Sequence, residues 1–245
     1  MKLHYLAAVP FLFVLCLSAR VVAADSDVPQ ALAGETMLAP ADAEKLLSEL
    51  PAFKDPQPIK AHIKTEVADE LMGARVEEGE LLLDRPARVL RRFTKPSVKI
   101  WLLDGTLLSE YGAKTKKLYV KDFSQAPRAL KLIQAAFTGD LKTLKELFDV
   151  FIFKGSADGQ ALYRFVLTRK GGTDSPALYK RIQARLYEKG LFFHEIEYVP
   201  ESGDRVLERY TEIAAVAKPA DKDFVLDLPD DVVRKTEVIG KSADK

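Results

Sequence analysis

Beyond its first 24 residues the chain holds two histidines, His62 and His194, and no cysteine, because Cys16 is the only one. Each histidine sits in strand-like sequence with apolar neighbours, the setting of a structural imidazole. No Gly-x-Ser-x-Gly elbow places a serine on a strained turn. Two isolated histidines without an HExxH pattern or clustered carboxylates do not make a zinc site. Gly171-Gly172 lacks the further glycines or the lysine of a phosphate-binding loop. The carboxylate pairs Glu77-Glu78 and Asp230-Asp231 lie beside turns, where solvation is their simplest state. The expectation is therefore no enzyme: no catalytic residue, no metal and no cofactor. An acid–base pair assembled by folding would reopen that question, and loss of ester turnover on substituting His62 or His194 would revive an envelope hydrolase. The chemistry that remains is apolar binding, in which each buried methylene contributes about 0.8 kcal/mol.

The start of the chain reads as an address. Met1-Lys2-Leu3-His4 supplies a short positive region, residues 6–17 are apolar apart from one proline, and Val21-Val22-Ala23-Ala24 offers small residues. This is the pattern of a secretory signal, with cleavage expected after Ala23 or Ala24. The apolar run is shorter than the ~20 residues of a spanning helix, and Arg20 closes it. Leu15 before Cys16 argues against lipid attachment there. About 220 residues remain, one large domain or two small ones by size. Removing Lys2 and Arg20 from the 37 basic residues leaves 35 against 36 acidic ones, a net charge of −1. Such a balance gives no argument for nucleic acid.

Elements follow from periodicity. Residues 25–39 read as a loose, flexible segment. Pro40 opens a short amphipathic helix with Leu46, Leu47 and Leu50 on one stripe. Strands are expected at 59–67, 75–83, 89–94, 98–103, 106–111 and 117–121, with Asp104-Gly105 as a hairpin turn. Residues 125–150 switch to helical spacing, broken near Thr138-Gly139-Asp140, and read as two helices. Strands resume at 148–154, 161–169, 179–188, 192–199 and 205–217, with a last one at 224–229 and a solvated charged tail from Arg234. Short, evenly spaced strands imply a meander, sandwich or barrel. Such a barrel is either filled by its own side chains or open to one apolar ligand.

The stretch from Gly79 to Tyr111 narrows these choices. Gly79-Glu80-Leu81-Leu82-Leu83-Asp84-Arg85-Pro86 resembles the strand ending in Arg-Pro of the periplasmic lipoprotein-carrier family, LolA, and its outer-membrane relative LolB. Thr94-Lys95-Pro96, Asp104-Gly105, Leu108 and Tyr111 follow at similar spacing, and fainter similarity covers most of the chain after the signal. The resemblance implies a mainly β fold with some α: an unclosed antiparallel β-barrel with a helical lid over an apolar cavity, spanning 40–233. It implies that Arg85 latches the lid by hydrogen bonds to helix carbonyls, the 125–150 insertion supplying that lid. Leu81, Leu83, Val89, Ile100, Leu102, Leu132, Ile133, Phe137, Leu144 and Phe148 are the candidate cavity contacts. Strand alternation forbids both parities from facing inward, so some of these must face away.

By that resemblance the chain would be a monomeric periplasmic chaperone. It would take acylated lipoprotein, or a related lipid, from an inner-membrane release complex and pass it to an outer-membrane acceptor. The alternative on the same fold is a lipid-sensing or scaffold protein that regulates a membrane partner, which an added interaction domain or anchor would favour. The sequence departs from the family in Leu81-Leu82-Leu83 and Arg91-Arg92, where aromatic or apolar residues are common. Its lid region is charged, with Lys131, Lys142, Lys145 and Glu146, which points to a different acylated cargo.

Overall fold

The computed structural model describes residues 28–69, 73–85, 88–138, 140–170, 179–200 and 205–240. The expected signal, Pro86, Gly171-Gly172, the turn at 201–204 and the last five residues lie outside the described residues. A two-residue strand β1 (Thr36–Met37) precedes helices α1 (Pro40–Glu49) and α2 (Pro51–Lys54). A meander follows: β2 (Ile59–Asp69), β3 (Gly73–Asp84), β4 (Arg88–Lys95), β5 (Lys99–Asp104), β6 (Leu107–Gly112) and β7 (Lys117–Asp122). Helices α3 (Pro127–Thr138) and α4 (Leu141–Leu144) interrupt it. A second meander holds β8 (Phe148–Ala157), β9 (Gln160–Arg169), β10 (Tyr179–Tyr187), β11 (Glu195–Pro200) and β12 (Arg205–Ala215). A 3-10 turn at Asp221–Phe224 and strand β13 (Val233–Val238) complete it.

These strands form one sheet in the order β1-β8-β9-β10-β11-β12-β2-β3-β4-β5-β6-β7-β13. The second meander returns to pair β12 with β2, so the two meanders become one curved wall. Its edges, β1 and β13, do not pair with each other, and every pairing is antiparallel except β13 with β7. The molecule is thus an unclosed antiparallel barrel with helices, as the resemblance implied.

Alternation sends successive side chains to opposite faces, and here both faces are covered. Leu81 and Leu83 join the larger core, with Ile59, Val89, Phe93, Trp101 and Leu103, while Leu82 joins a second core with Leu90, Ile100 and Leu102. Burial on both faces explains an unbroken leucine run where a one-sided strand would alternate. Helices α3 and α4 close the larger core with Ile133, Ala135, Leu141 and Leu144. The second core is closed by the C-terminal segment, whose Phe224 is 3% exposed and sits among Leu82, Leu90, Ile100 and Tyr111.

Four expectations change. Residues 224–229 are not a strand; they continue the 3-10 turn as an extended strap across the second core. The charged tail is partly β13, so the expected domain end at 233 falls inside a strand. Its side chains are almost all exposed and it adds to β7 through backbone bonds, which periodicity does not register. The segment expected to be loose is fastened: Arg164, 3% exposed, donates to Glu35 and to the Gln30 carbonyl, and β1 pairs with β8. The strand expected from 192 begins at Glu195, because Phe192 and Phe193 turn into the larger core instead.

Candidate functional site

Arg85 follows the end of β3 and points at the helices. Its Nη1 donates to the Ala52 carbonyl of α2 at 2.5 Å, and its Nη2 to the Leu191 carbonyl, in the loop between β10 and β11, at 2.9 Å. The guanidinium also lies 5.2 Å from the centre of the Phe192 ring. Burial alone pushes Arg85 down to about 10, so it remains charged at neutral pH. Both partners are carbonyls of chain that makes no ladder bond at those points, the orphan acceptors that helix ends and loops leave. The sequence reading attached this contact to the insertion helices, whereas the bonds reach α2 and the 191 loop.

The two N-terminal helices are seated differently. In α2, Ala52 is buried and Phe53 packs edge-on against Phe165 and Phe193, with ring centres 5.8 and 5.9 Å away. Helix α1 has no fully buried residue and no side-chain N-cap; Leu46 and Leu47 only rest against the core. Pro51 begins α2 directly after Leu50, so the two join at a residue suited to a first helical position. Between α1 and the wall lies an open groove of about 420 Å³ lined by Leu38, Leu46, Leu50, Tyr163, Asp42 and Glu188, among others. Its floor is leucine and tyrosine, and its rim carries charges of both signs.

Of the residues chosen from the sequence, Leu81, Leu83, Val89, Ile133, Leu144 and Phe148 are buried together in the larger core, and Leu132 packs at its margin. Ile100 and Leu102 lie in the second core, on the other face, because Trp101 and Leu103 take the inward parity of β5. The Phe137 side chain lies outside the described residues. None of the other nine lines the groove. Periodicity selects the faces that fill a core, while the groove arises where α1 stands off the wall.

The larger core also holds a polar cluster that the sequence reading missed. Arg91, 4% exposed, donates to Glu208 at 2.6 and 3.3 Å and to the Tyr210 hydroxyl at 3.2 Å. The Tyr198 and Tyr210 hydroxyls both donate to Glu208. Burial works against the Arg91 charge, but the Glu208 carboxylate outweighs it and raises the guanidinium above its ordinary value. Burial raises both tyrosines well above theirs. Beside this group, Glu77 pairs with Lys99, and burial pushes Glu110 up to about 7, with Lys99 and Lys121 opposing and Glu77 adding. A signal was present: Arg91 shares its parity with Val89 and Phe93, and Glu208 with Val206 and Tyr210, so both charges sit at inward positions.

Fold and site together define a class: an open β-barrel with a buried arginine tying its wall to N-terminal helices over a groove. Among solved structures, an uncharacterized conserved protein from Thermus thermophilus matches with a TM-score of 0.52 at 9% identity, over 80% of this chain and 99% of that one. At that identity the shared property is the fold. A LolA superfamily protein from Nitrosomonas europaea is similar at a TM-score of 0.40 and 13% identity, over 76% of this chain and 98% of that one. MucB of Pseudomonas aeruginosa, in its complex with MucA, is similar at 0.43 and 13%, over 76% of this chain and 61% of that one. No family model matches the sequence, and no curated protein does.

Proposed function

We propose that the protein is a periplasmic carrier that takes an acyl chain beneath α1 and conveys the acylated molecule, a lipoprotein or related lipid, toward the outer membrane. The observation that carries this reading is the Arg85 contact with Ala52. It fixes α2, and with it the hinge of α1, by bonds that are individually modest: a hydrogen bond from a charged donor contributes ~1.5–3 kcal/mol net. The groove beneath α1 is of a size suited to small ligands, ~300–1,000 Å³. Several methylenes at about 0.8 kcal/mol each repay the loss of the latch. Cargo entry would lift α1, break the Arg85 bonds and present the loaded groove to an acceptor. Donor and acceptor would be an inner-membrane release complex and an outer-membrane receptor.

The test is uptake of a fluorescent fatty-acyl probe by the purified protein, together with extraction of lipid retained from its host. Saturable uptake, weakened by Leu46→Glu in the groove, is expected. No uptake and no acyl-bearing species in the extract would sink the reading.

A further inference from the structure

Lys99 occupies an unusual place for a lysine. Its side chain is buried within the larger core, with the ammonium 5.4 Å from the centre of the Trp101 ring, 5.8 Å from that of Phe93, and 3.3–3.4 Å from both oxygens of Glu77. Two aromatic faces and one carboxylate around a cation is the arrangement by which proteins hold alkylammonium ligands. We propose that Glu77, Phe93 and Trp101 form an ammonium site, filled by the chain's own Lys99, which yields it to the amine headgroup of a lipid such as an ethanolamine phospholipid.

Three observations support the exchange. Lys99 is held loosely: charge-assisted hydrogen bonds run ~2.7–2.9 Å, and the neighbouring Arg91–Glu208 contact is 2.6 Å, yet Glu77 meets both Lys99 and Arg75 no closer than 3.3 Å. The site has spare acceptor capacity: Thr65 is 1% exposed and its Oγ1 has no hydrogen-bond partner among the described residues. Thr65, Glu77, Phe93, Lys99 and Trp101 line one small cavity of about 10 Å³ together with the paired Arg91 and Glu208. An ammonium there has three donors to share between Glu77 and Thr65. Finally, Lys99 has a way out. It is the first residue of β5, next to Val98, which is 45% exposed, and its four-carbon stem can carry the charge to solvent. One ammonium replaces another, so Glu77 stays neutralised and no buried carboxylate is left alone.

This inference rests on the carrier reading and names the headgroup of its cargo. Trp101 is the only tryptophan, so its emission reports on this site directly. The full chain is titrated with lysophosphatidylethanolamine and with lysophosphatidylglycerol of the same acyl length, and separately with free phosphoethanolamine. The ethanolamine lysolipid is expected to bind roughly tenfold tighter than the glycerol one. Glu77→Gln should erase that preference, and the near-isosteric Thr65→Val should reduce it without disturbing the carboxylate. Lys99→Met, which empties the site, should strengthen it. Equal binding of the two lysolipids, or a preference that survives in both Glu77→Gln and Thr65→Val, overturns the headgroup assignment and leaves the carrier reading intact. Free phosphoethanolamine binding as tightly as its lysolipid overturns the lipid assignment. Binding of neither lysolipid overturns both readings.

Discussion

Arg85 and Ala52 are 33 residues apart in the chain, and the Arg85 guanidinium lies 2.5 Å from the Ala52 carbonyl oxygen. That bond joins the end of β3 to α2 and so to the base of α1. Arg85→Met keeps most of the side-chain bulk and removes both donated bonds. The expected result is a loss of about 2–4 kcal/mol in urea denaturation, with two carbonyls left without their charged donor. Amide exchange should speed up in α1 and α2 but not in β4–β6. Unchanged exchange in α1 would contradict the latch.

Leu82 and Leu83 are adjacent and both buried, but in different cores. Substituting either by alanine should cost about 2–5 kcal/mol, the transfer energy plus the cavity. The two variants should differ elsewhere: Leu83→Ala perturbs Trp101 emission, because Trp101 shares its core, and Leu82→Ala does not. Equal spectral effects would refute the assigned sidedness.

Gly79 opens the stretch that carried the family resemblance, and the structure gives the reason for a glycine. A Cβ there would lie 2.1 Å from the Arg92 carbonyl oxygen and 2.6 Å from the Phe93 Cα, both backbone atoms. This is also where the β3–β4 register shifts. Gly79→Ala must displace β4, so we expect a large loss of thermal stability, above that of Gly159→Ala, where nothing lies within 4 Å of the added carbon and only the positive φ of 74° is strained.

Arg91 and Glu208 make a buried pair that should behave unlike a surface one. Arg91→Met leaves a buried carboxylate uncompensated and should cost ~3–5 kcal/mol. The double variant Arg91→Met, Glu208→Leu should recover part of that loss: it removes the stranded carboxylate but takes the Glu208 acceptor from the Tyr198 and Tyr210 hydroxyls. A double variant no more stable than Arg91→Met would show that the pair is not coupled.

Glu110 predicts a pH dependence with a definite sign. Its folded-state value is about 7 against an ordinary 4.5, so between those values the folded protein binds more protons than the unfolded one. Stability therefore falls as pH rises from about 4.5 to 7, by up to ~3 kcal/mol from this group. Glu110→Gln should flatten that slope in denaturation curves taken across the window.

The sequence by itself determined the local half of this protein. Period-two runs and the Asp104-Gly105 turn gave the first meander, and the helical spacing near 127–144 gave the insertion, because those signals depend only on neighbours in the chain. Arg85 was singled out by the family resemblance of residues 79–86, since by local pattern alone an arginine at a strand end reads as a surface charge. Tertiary structure alone decided what lies opposite what. It put Ile100 and Leu102 behind the wall, since parity is assigned only once strands pair. It turned the charged tail into β13 and the terminal run into a strap, because backbone pairing to β7 and a neighbouring apolar face are not written in local pattern. It moved the groove beneath α1 and brought Arg91 to Glu208 and Lys99 to Glu77, contacts that span 117 and 22 residues. Such pairs are set by sheet register, which no local sequence window contains.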